Sequence, residues 1–275
     1  MTQAQEDRFL DPDGGGSVRR YIGLDRSEIS DRDGGWMLVG RAPVTDHLRG
    51  PGGRLRTGAL MAMIDSVGGF AAGLAALPDW IVTTSLLLRV GNAPDAGPVR
   101  LEPRVLRRGR SSVVAEVAVF DEGANAPGPV ASAVITCAVL TPTAGPPQLT
   151  RPVRFPAPPP FDDPEPYERF LRVRTAAAGR TSLDLELEPH LRNRWGILHG
   201  GVVAALVDLA AVAAVGGISS DVVLHFLSPA RVGPVGATAE VIGTRVDGTL
   251  VQVSLNDAGA ETRQVAIASV TVRPA

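Results

Sequence analysis

The sequence contains two similar segments about 140 residues apart, and this internal duplication constrains the fold more than any other feature. Residues 55–65 read LRTGALMAMID, and residues 198–208 read LHGGVVAALVD. In both segments, a glycine-containing turn precedes small apolar residues that surround one carboxylate, Asp65 or Asp208. A carboxylate within an apolar helix is costly to bury. Its recurrence at matching positions therefore indicates a function.

The pattern that follows each segment also repeats. Alternating apolar residues predict strands in the first half at 81–90, 98–107, 112–120 and 130–140. They predict strands in the second half at 218–227, 235–243, 249–257 and 262–272. Further strands precede the two helices, at 36–44 and 181–188. The order of strand, long buried helix and four strands occurs twice, which predicts an α+β fold with two duplicated domains.

Composition predicts the domain boundaries. Residues 1–16, which end in glycines, are expected to form a disordered tail before an N-terminal repeat at 17–141. Ten of the 26 residues at 141–166 are Pro, which excludes a helix or a central strand. Residues 142–166 are therefore predicted to be a linker, with a proline-rich docking ligand as the alternative. The C-terminal repeat is then 167–275, and it begins with a short helix at 167–178 whose counterpart is 17–30.

Several classes of protein do not fit this composition. The net charge of −2 gives no electrostatic case for binding nucleic acid. The apolar segments 58–77 and 201–217 each contain an Asp and are rich in Gly and Ala, so we expect helices of a soluble core and no membrane span. Four His and one Cys, Cys137, show no metal-ligand spacing. The polar, acidic N-terminus does not resemble a signal peptide, and we expect a cytoplasmic protein.

The second half carries the stretch NRWGILHGGVVAALVD, followed by SSDVVLHFLSPAR. This pattern resembles the hotdog-fold acyl-CoA thioesterases of the phenylacetate-pathway (PaaI) type, here in a tandem form called a double hotdog. The resemblance implies two repeats, each a long buried helix wrapped by an antiparallel sheet of about five strands. It places the family's functional positions on Asn193, His199, Gly200, Asp208 and Ser219.

The first half resembles the family more loosely. It has Asp65 and Thr83, but Gly50, Arg56 and Thr57 stand where the family has Asn, His and the first Gly. An α-helix rises about 1.5 Å per residue, so Gly200 and Asp208 are separated by about 12 Å along one helix. They cannot act on the same thioester carbon. In hotdog dimers each helix start faces the middle of the other helix, which implies that the two halves of this chain pair in the same way.

Two unequal sites follow from this pairing. Site one combines Asn193, His199 and Gly200 with Asp65 and Thr83. Site two combines Gly50, Arg56, Thr57 and Gly58 with Asp208 and Ser219. We expect site one to be catalytic and site two to be degenerate or to bind without turnover.

In site one, the backbone N–H of Gly200 at a helix start is suited to polarising a thioester and holding the oxyanion. Asp65 is expected to act as general base on water or as nucleophile, and the sequence leaves both open. Thr83, with Thr84 as the alternative, is expected to bind Asp65 or the water. Asn193 and His199 are expected to orient the thioester or assist the thiolate. Structural alternatives are a hydrogen-bonded Asp65 and a helix-capping His199.

The predicted substrate is an acyl-CoA, with coenzyme A as part of the substrate and no other cofactor. Candidates to bind its phosphates are Arg231, Arg107, Arg108 and Arg110. Small helix residues predict room for a bulky or long acyl group; they are Ala62, Gly68, Gly69 and Ala205. Alternative functions are a non-catalytic acyl-CoA binder or sensor and a hotdog hydratase or dehydratase. A homo-oligomer, dimeric or larger, is expected through the remaining sheet edges.

Overall fold

The computed structural model describes residues 17–32, 35–124, 128–141, 159–175, 182–193 and 195–275. Its helices are α1 (Ser17–Tyr21), α2 (Thr57–Ala76), α3 (Tyr167–Phe170) and α4 (Gly200–Val215). The strands of the first half are β1 (Asp25–Arg32), β2 (Gly35–Ala42), β3 (Trp80–Val90), β4 (Val99–Arg108), β5 (Ser112–Asp121) and β6 (Ala131–Leu140). Those of the second half are β7 (Val173–Thr175), β8 (Ser182–Leu185), β9 (Ile218–Phe226), β10 (Val235–Arg245), β11 (Gly248–Asp257) and β12 (Arg263–Arg273).

These strands form one antiparallel sheet in the order β1-β2-β4-β5-β6-β3-β9-β12-β11-β10-β8-β7. From the centre outward, the two halves have the same strand order. They are joined by the pairing of β3 with β9, in which Leu87 lies opposite Val223. The sheet therefore continues across both halves, and its outer edges are β1 and β7.

The two long helices lie against this sheet and against each other. Helix α2 contacts β2 to β6, and α4 contacts β8 to β12. The helices approach closely at their starts, because an added Cβ on Gly58 would lie 2.9 Å from Ala205 Cα. An added Cβ on Gly201 would lie 2.8 Å from Ala62 Cα. Glycine at these two positions brings each helix start to the middle of the other helix.

Helix α2 is also the one helix in the described ranges that is long and apolar enough to cross a membrane. However, 72% of its apolar stretch is buried inside the protein. A helix that is apolar on all sides is common in the core of a soluble domain. The composition of α2 is therefore weak evidence for a membrane span.

A matching carboxylate holds the turn before β4 in the first half and before β10 in the second. Asp121 accepts hydrogen bonds from the amides of Asp95, Ala96 and Gly97 at 2.6–3.1 Å. Asp257 accepts the equivalent bonds from three consecutive amides at 2.8–3.0 Å, those of Arg231, Val232 and Gly233. Burial raises the pKa of both carboxyls, but the backbone donors outweigh it and the net pKa is lowered.

The structure corrects the expected ends of both halves. The helix predicted at 167–178 ends at Phe170 and is followed by β7, and the helix within 17–30 ends at Tyr21 and is followed by β1. Within the described residues, each half therefore has six strands instead of about five. Helices of four or five residues are too short to be stable by themselves. The residues that follow them instead pair with the edge of the sheet.

The predicted linker is only partly described. Residues 1–16 and 142–158 lie outside the described residues. The last part of the predicted linker, 159–166, contacts the first half of the chain. The Tyr21 hydroxyl donates to the Glu165 carbonyl at 2.6 Å, and the Arg20 guanidinium donates to the Pro160 carbonyl at 3.2 Å.

Candidate active site

Helices α2 and α4 begin with the same backbone turn. An isolated bridge joins Arg49 to Leu55 before α2, and another joins Arg192 to Leu198 before α4. These pairs are 143 positions apart in the sequence. The equivalent positions are therefore Gly50 and Asn193, Arg56 and His199, Thr57 and Gly200, and Gly58 and Gly201.

In site one, the carboxylate of Asp65 lies against the start of α4. An added Cβ on Gly200 would lie 2.7 Å from Asp65 Oδ2, so a side chain at this position would collide with the carboxylate. The Thr83 hydroxyl donates to Asp65 Oδ1 at 2.9 Å. The neighbouring Thr84 hydroxyl instead donates to the Thr136 carbonyl. The structure thus brings together Asp65, Thr83 and the first residue of α4.

His199 and Asn193 both have structural contacts near this helix start. His199 is buried, and its Nδ1 accepts a hydrogen bond from the Gly201 amide at 3.0 Å. With Nδ1 as acceptor, the neutral imidazole carries its proton on Nε2. The side-chain oxygen of Asn193 accepts from the Trp195 amide at 2.9 Å. His199 therefore caps α4, and Asn193 shapes the turn before it.

Two features of this region were missed by the sequence analysis. Cys137 lies behind Thr83, with 3.9 Å between Thr83 Oγ1 and Cys137 Sγ. Burial raises the pKa of the Cys137 thiol to about 12, and the charge of Asp65 adds to this shift. Trp80, the first residue of β3, packs on Trp195 with 4.1 Å between ring centroids. The strand pairing of Thr83 with Cys137 could have identified the first contact; no sequence motif indicates the second.

In site two, the carboxylate takes a different position. Asp208 Oδ2 accepts from the Gly58 amide at 2.8 Å. Thr57 occupies the position of Gly200, and its hydroxyl donates to the Ser219 carbonyl at 2.6 Å. Because Thr57 occupies the first position of α2, the Asp208 carboxylate lies at the second position, Gly58.

Asp208 is enclosed more completely than Asp65. Its Oδ1 atom and the Ser219 hydroxyl are buried, and neither has a hydrogen-bond partner of normal geometry among the described residues. Burial raises the pKa of the Asp208 carboxyl. The nearby Ser219 hydroxyl and the Gly58 N–H lower this pKa but offset the burial only in part.

Arg56 covers site two. Its guanidinium forms an ion pair with Glu168 at 2.7 Å and lies over the Tyr167 ring, 5.4 Å from the centroid. An added Cβ on Gly50 would lie 2.8 Å from Arg56 Cγ. The Arg56 side chain therefore needs a glycine at position 50. The equivalent positions in the other half hold Asn193 and His199. No sequence motif marks Glu168 or Tyr167, so the contribution of α3 to this site could not be predicted from the sequence.

A small cleft remains beside Arg56. It is lined by residues of both halves: Gly50, Pro51, Arg54, Leu55, Arg56, Thr57, Asp208, Val212, Gly217, Ile218 and Ser219. Since Asp208 and the start of α2 both line it, this cleft is the open space that remains at site two.

The four arginines predicted to bind phosphates lie in two places. Arg108 forms an ion pair with Asp79 at 3.4 Å, next to the start of β3, and Arg107 and Arg110 are exposed on the same hairpin. Arg231 is exposed in the second half. The carbonyl of the preceding residue, Ala230, accepts from the Leu198 amide, which places Arg231 beside the start of α4. Within the described ranges, no group of three or more His, Cys, Asp or Glu could hold a metal ion.

Comparison with solved structures shows the fold class. A tesB protein of Mycobacterium avium subs paratuberculosis has a TM-score of 0.61 at 17% identity, covering 95% of this chain and 99% of the other. An acyl-CoA thioesterase II of Mycobacterium marinum has a TM-score of 0.55 at 14% identity, with coverage of 94% and 98%.

A hot dog fold protein of unknown function from Alicyclobacillus acidocaldarius has a TM-score of 0.57 at 15% identity, with coverage of 91% and 97%. No family model matches the chain, and no curated protein matches it. At these identities the likeness shows the fold alone. The chain has the hotdog fold, a large antiparallel sheet with few helices.

Proposed function

We propose that this protein is a tandem hotdog acyl-CoA thioesterase of the PaaI type, with one working active site built from both halves. The observation that carries the proposal is the position of the Asp65 carboxylate, which lies where a side chain on Gly200 would be at the start of α4 and is bonded to the Thr83 hydroxyl. Several solved structures with the same fold bear the name thioesterase. These names support thioester hydrolysis as the reaction class. The assignment of the active-site residues depends on this chain alone.

The proposed reaction uses these groups in sequence. The thioester carbonyl oxygen lies at the start of α4, where the Gly200 N–H and the helix dipole favour negative charge. Asp65 removes a proton from a water molecule, and the water oxygen bonds to the carbonyl carbon. The oxyanion then collapses, the carbon–sulfur bond breaks, and the thiolate takes the proton back from Asp65. Thr83 holds the carboxylate in the orientation that this transfer needs.

Site two lacks the arrangement that this reaction uses. Thr57 fills the position of Gly200, and Asp208 is bonded to the Gly58 amide. Burial also raises the pKa of Asp208 above its ordinary value. Arg56, which lines the cleft, is held in an ion pair with Glu168. We therefore assign no turnover to site two.

The test is thiol release from acetyl-, octanoyl- and benzoyl-CoA by wild type, Asp65→Asn and Asp208→Asn. Asp65→Asn should lower kcat by at least about 100-fold, in the range of a lost general base. Asp208→Asn is the matched control, because it makes the same change at the equivalent position. Loss of turnover in Asp208→Asn alone would reverse the assignment of the sites. No thiol release by folded wild type would instead favour the acyl-CoA binder.

A further inference from the structure

Gly69, in the middle of α2, is a glycine that packing does not explain. An added Cβ there would meet no described atom within 4 Å. At the neighbouring Gly68, a Cβ would lie 2.7 Å from Ile135 Cδ1 and 3.0 Å from Val117 Cγ2. Glycine in a helix interior is less stable than alanine. The sheet therefore requires Gly68, whereas Gly69 lowers helix stability where a larger residue has room.

The open space at Gly69 adjoins site one. Gly69 follows Asp65 by four residues, so the two share one face of α2. Strand β3, at the centre of the sheet, flanks this face of α2. Its Thr83 hydroxyl bonds to Asp65, and its Ile81 Cγ1 would lie 3.8 Å from an added Cβ on Gly73. A strip without helix side chains thus runs from the carboxylate past Gly69 toward Gly73.

The equivalent strip is filled in the other half of the molecule. The residue 143 positions after Gly69 is Val212, which stands four residues after Asp208 and lines the cleft of site two. The same place on the helix face therefore holds a branched side chain in site two and no side chain in site one.

We propose that this strip is the acyl-binding groove of site one, and that Gly69 is the residue that admits a bulky acyl group. This inference rests on the proposed thioesterase function. The residues that form the strip, Gly69, Gly73 and Ile81, carry no charge, so the strip suits a hydrocarbon group and not the phosphates of coenzyme A. Gly69 lies about 6 Å along the helix from Asp65. An acetyl group does not reach it, whereas an octanoyl or benzoyl group does.

The experiment compares Gly69→Ala and Gly69→Val with wild type on acetyl-, octanoyl- and benzoyl-CoA. Valine should lower the ratio of kcat/KM for the two large substrates over acetyl-CoA by about tenfold or more, the usual effect of a few methyl groups in a pocket. Alanine should lower this ratio less and raise the Tm, because it is the better helix former. A higher Tm together with lower activity on large substrates cannot come from unfolding.

Gly243→Val is the matched control, since Gly243 also has open space but lies on an exposed part of β10. It should leave the substrate ratio unchanged. An equal loss for all three substrates in Gly69→Val, or no loss, would overturn the groove.

A second readout needs no turnover. Affinities for S-ethyl- and S-octyl-coenzyme A, measured by calorimetry, should show that Gly69→Val selectively weakens the octyl compound. If wild type hydrolyses nothing but this selective loss is seen, the groove stands and the proposed hydrolysis is wrong. If neither compound binds, both proposals are wrong.

Discussion

At the scale of single residues, two equivalent carboxylates have different surroundings. Asp65 is bonded to the Thr83 hydroxyl and lies at the first residue of α4. Asp208 is 3% exposed, accepts from the Gly58 amide, and has one oxygen without a hydrogen-bond partner of normal geometry in the described part of the chain. Two carboxylates 143 positions apart in the sequence thus differ in chemistry because their neighbours differ.

The raised pKa of Asp208 predicts that the folded protein loses stability as the pH rises. Burial raises its pKa in the folded chain above the ordinary value of 3.8. The stability linked to Asp208 is therefore fully present below this ordinary pKa and is lost as the pH rises through the raised folded pKa. Asparagine cannot ionise, so Asp208→Asn should gain stability relative to wild type between pH 4 and pH 8. Urea unfolding at several pH values measures this difference, and a constant difference would contradict the raised pKa.

Asp121 predicts the opposite dependence and serves as the comparison. Burial raises the pKa of Asp121, but three turn amides outweigh it and lower the net pKa. Its contribution is present above the ordinary pKa and is lost as the pH falls through the lowered folded pKa. Asp121→Asn should therefore lower the free energy of unfolding at pH 7 by about 1.5–3 kcal/mol. In the same urea series the deficit should shrink toward acid pH; a deficit that grows there would count against this account.

At the scale of secondary-structure elements, the side chains at the start of α2 depend on one another and on α3. Arg56 forms no side-chain cap on its helix, whereas His199 caps α4. The Arg56 side chain instead occupies the space beside Gly50 and reaches Glu168 on α3. The covering of site two thus depends on residues from two elements that are far apart in the sequence.

This arrangement predicts that substitutions at positions 50 and 56 are not additive. Gly50→Asn alone should destabilise the chain, because its Cβ would lie 2.8 Å from Arg56 Cγ. Adding Arg56→His recreates the Asn and His pair found at positions 193 and 199 and should recover part of this loss, giving a coupling energy of about 0.5–3 kcal/mol in a double-mutant cycle. Gly53→Asn is the control, since no described atom lies within 4 Å of a Cβ there, although its φ of +71° adds backbone strain. Additive effects of the Gly50 and Arg56 changes would show that the two positions are independent.

The same elements show how far sequence could predict this structure. The two long helices and the eight strands that follow them were located to within about two residues at most boundaries, because their apolar patterns are strong. Strands β1 and β7 were missed because their place depends on pairing at a sheet edge. The contacts of Arg56 with Glu168 and of Trp80 with Trp195 join distant segments, so no local pattern encodes them.

At the scale of the whole molecule, the two halves are held together by noncovalent contacts as well as by the chain that connects them. Strands β3 and β9 pair at the sheet centre, and helices α2 and α4 pack together. The short helices also meet, with Tyr21 stacked on Phe170 at 3.7 Å between centroids and 6° between ring planes. Each of these aromatic residues is also held in the same way within its own half. The Tyr21 carbonyl is hydrogen-bonded to the His47 ring, and the Phe170 carbonyl to the His190 ring.

This interface predicts that the chain tolerates a break in the linker. A protease site inserted in the proline-rich segment at 142–158 should allow cleavage while the fragments still elute together from a size-exclusion column. Thioesterase activity, where wild type has it, should persist, because site one is assembled from noncovalent contacts across the halves. Uncut protein with the same insertion is the control. Separation of the fragments under native conditions would show that the linker is needed for association.

The position of Cys137 gives the chain a built-in reporter of its own unfolding. The thiol is 0% exposed, burial raises its pKa to about 12, and it is the one cysteine of the sequence. Only the thiolate reacts rapidly with disulfide dyes. The folded protein should therefore not react with such a dye, and any colour during an acyl-CoA assay comes from the free coenzyme A thiol that hydrolysis releases. Each molecule that unfolds releases one reactive sulfur, so the same dye counts unfolded chains.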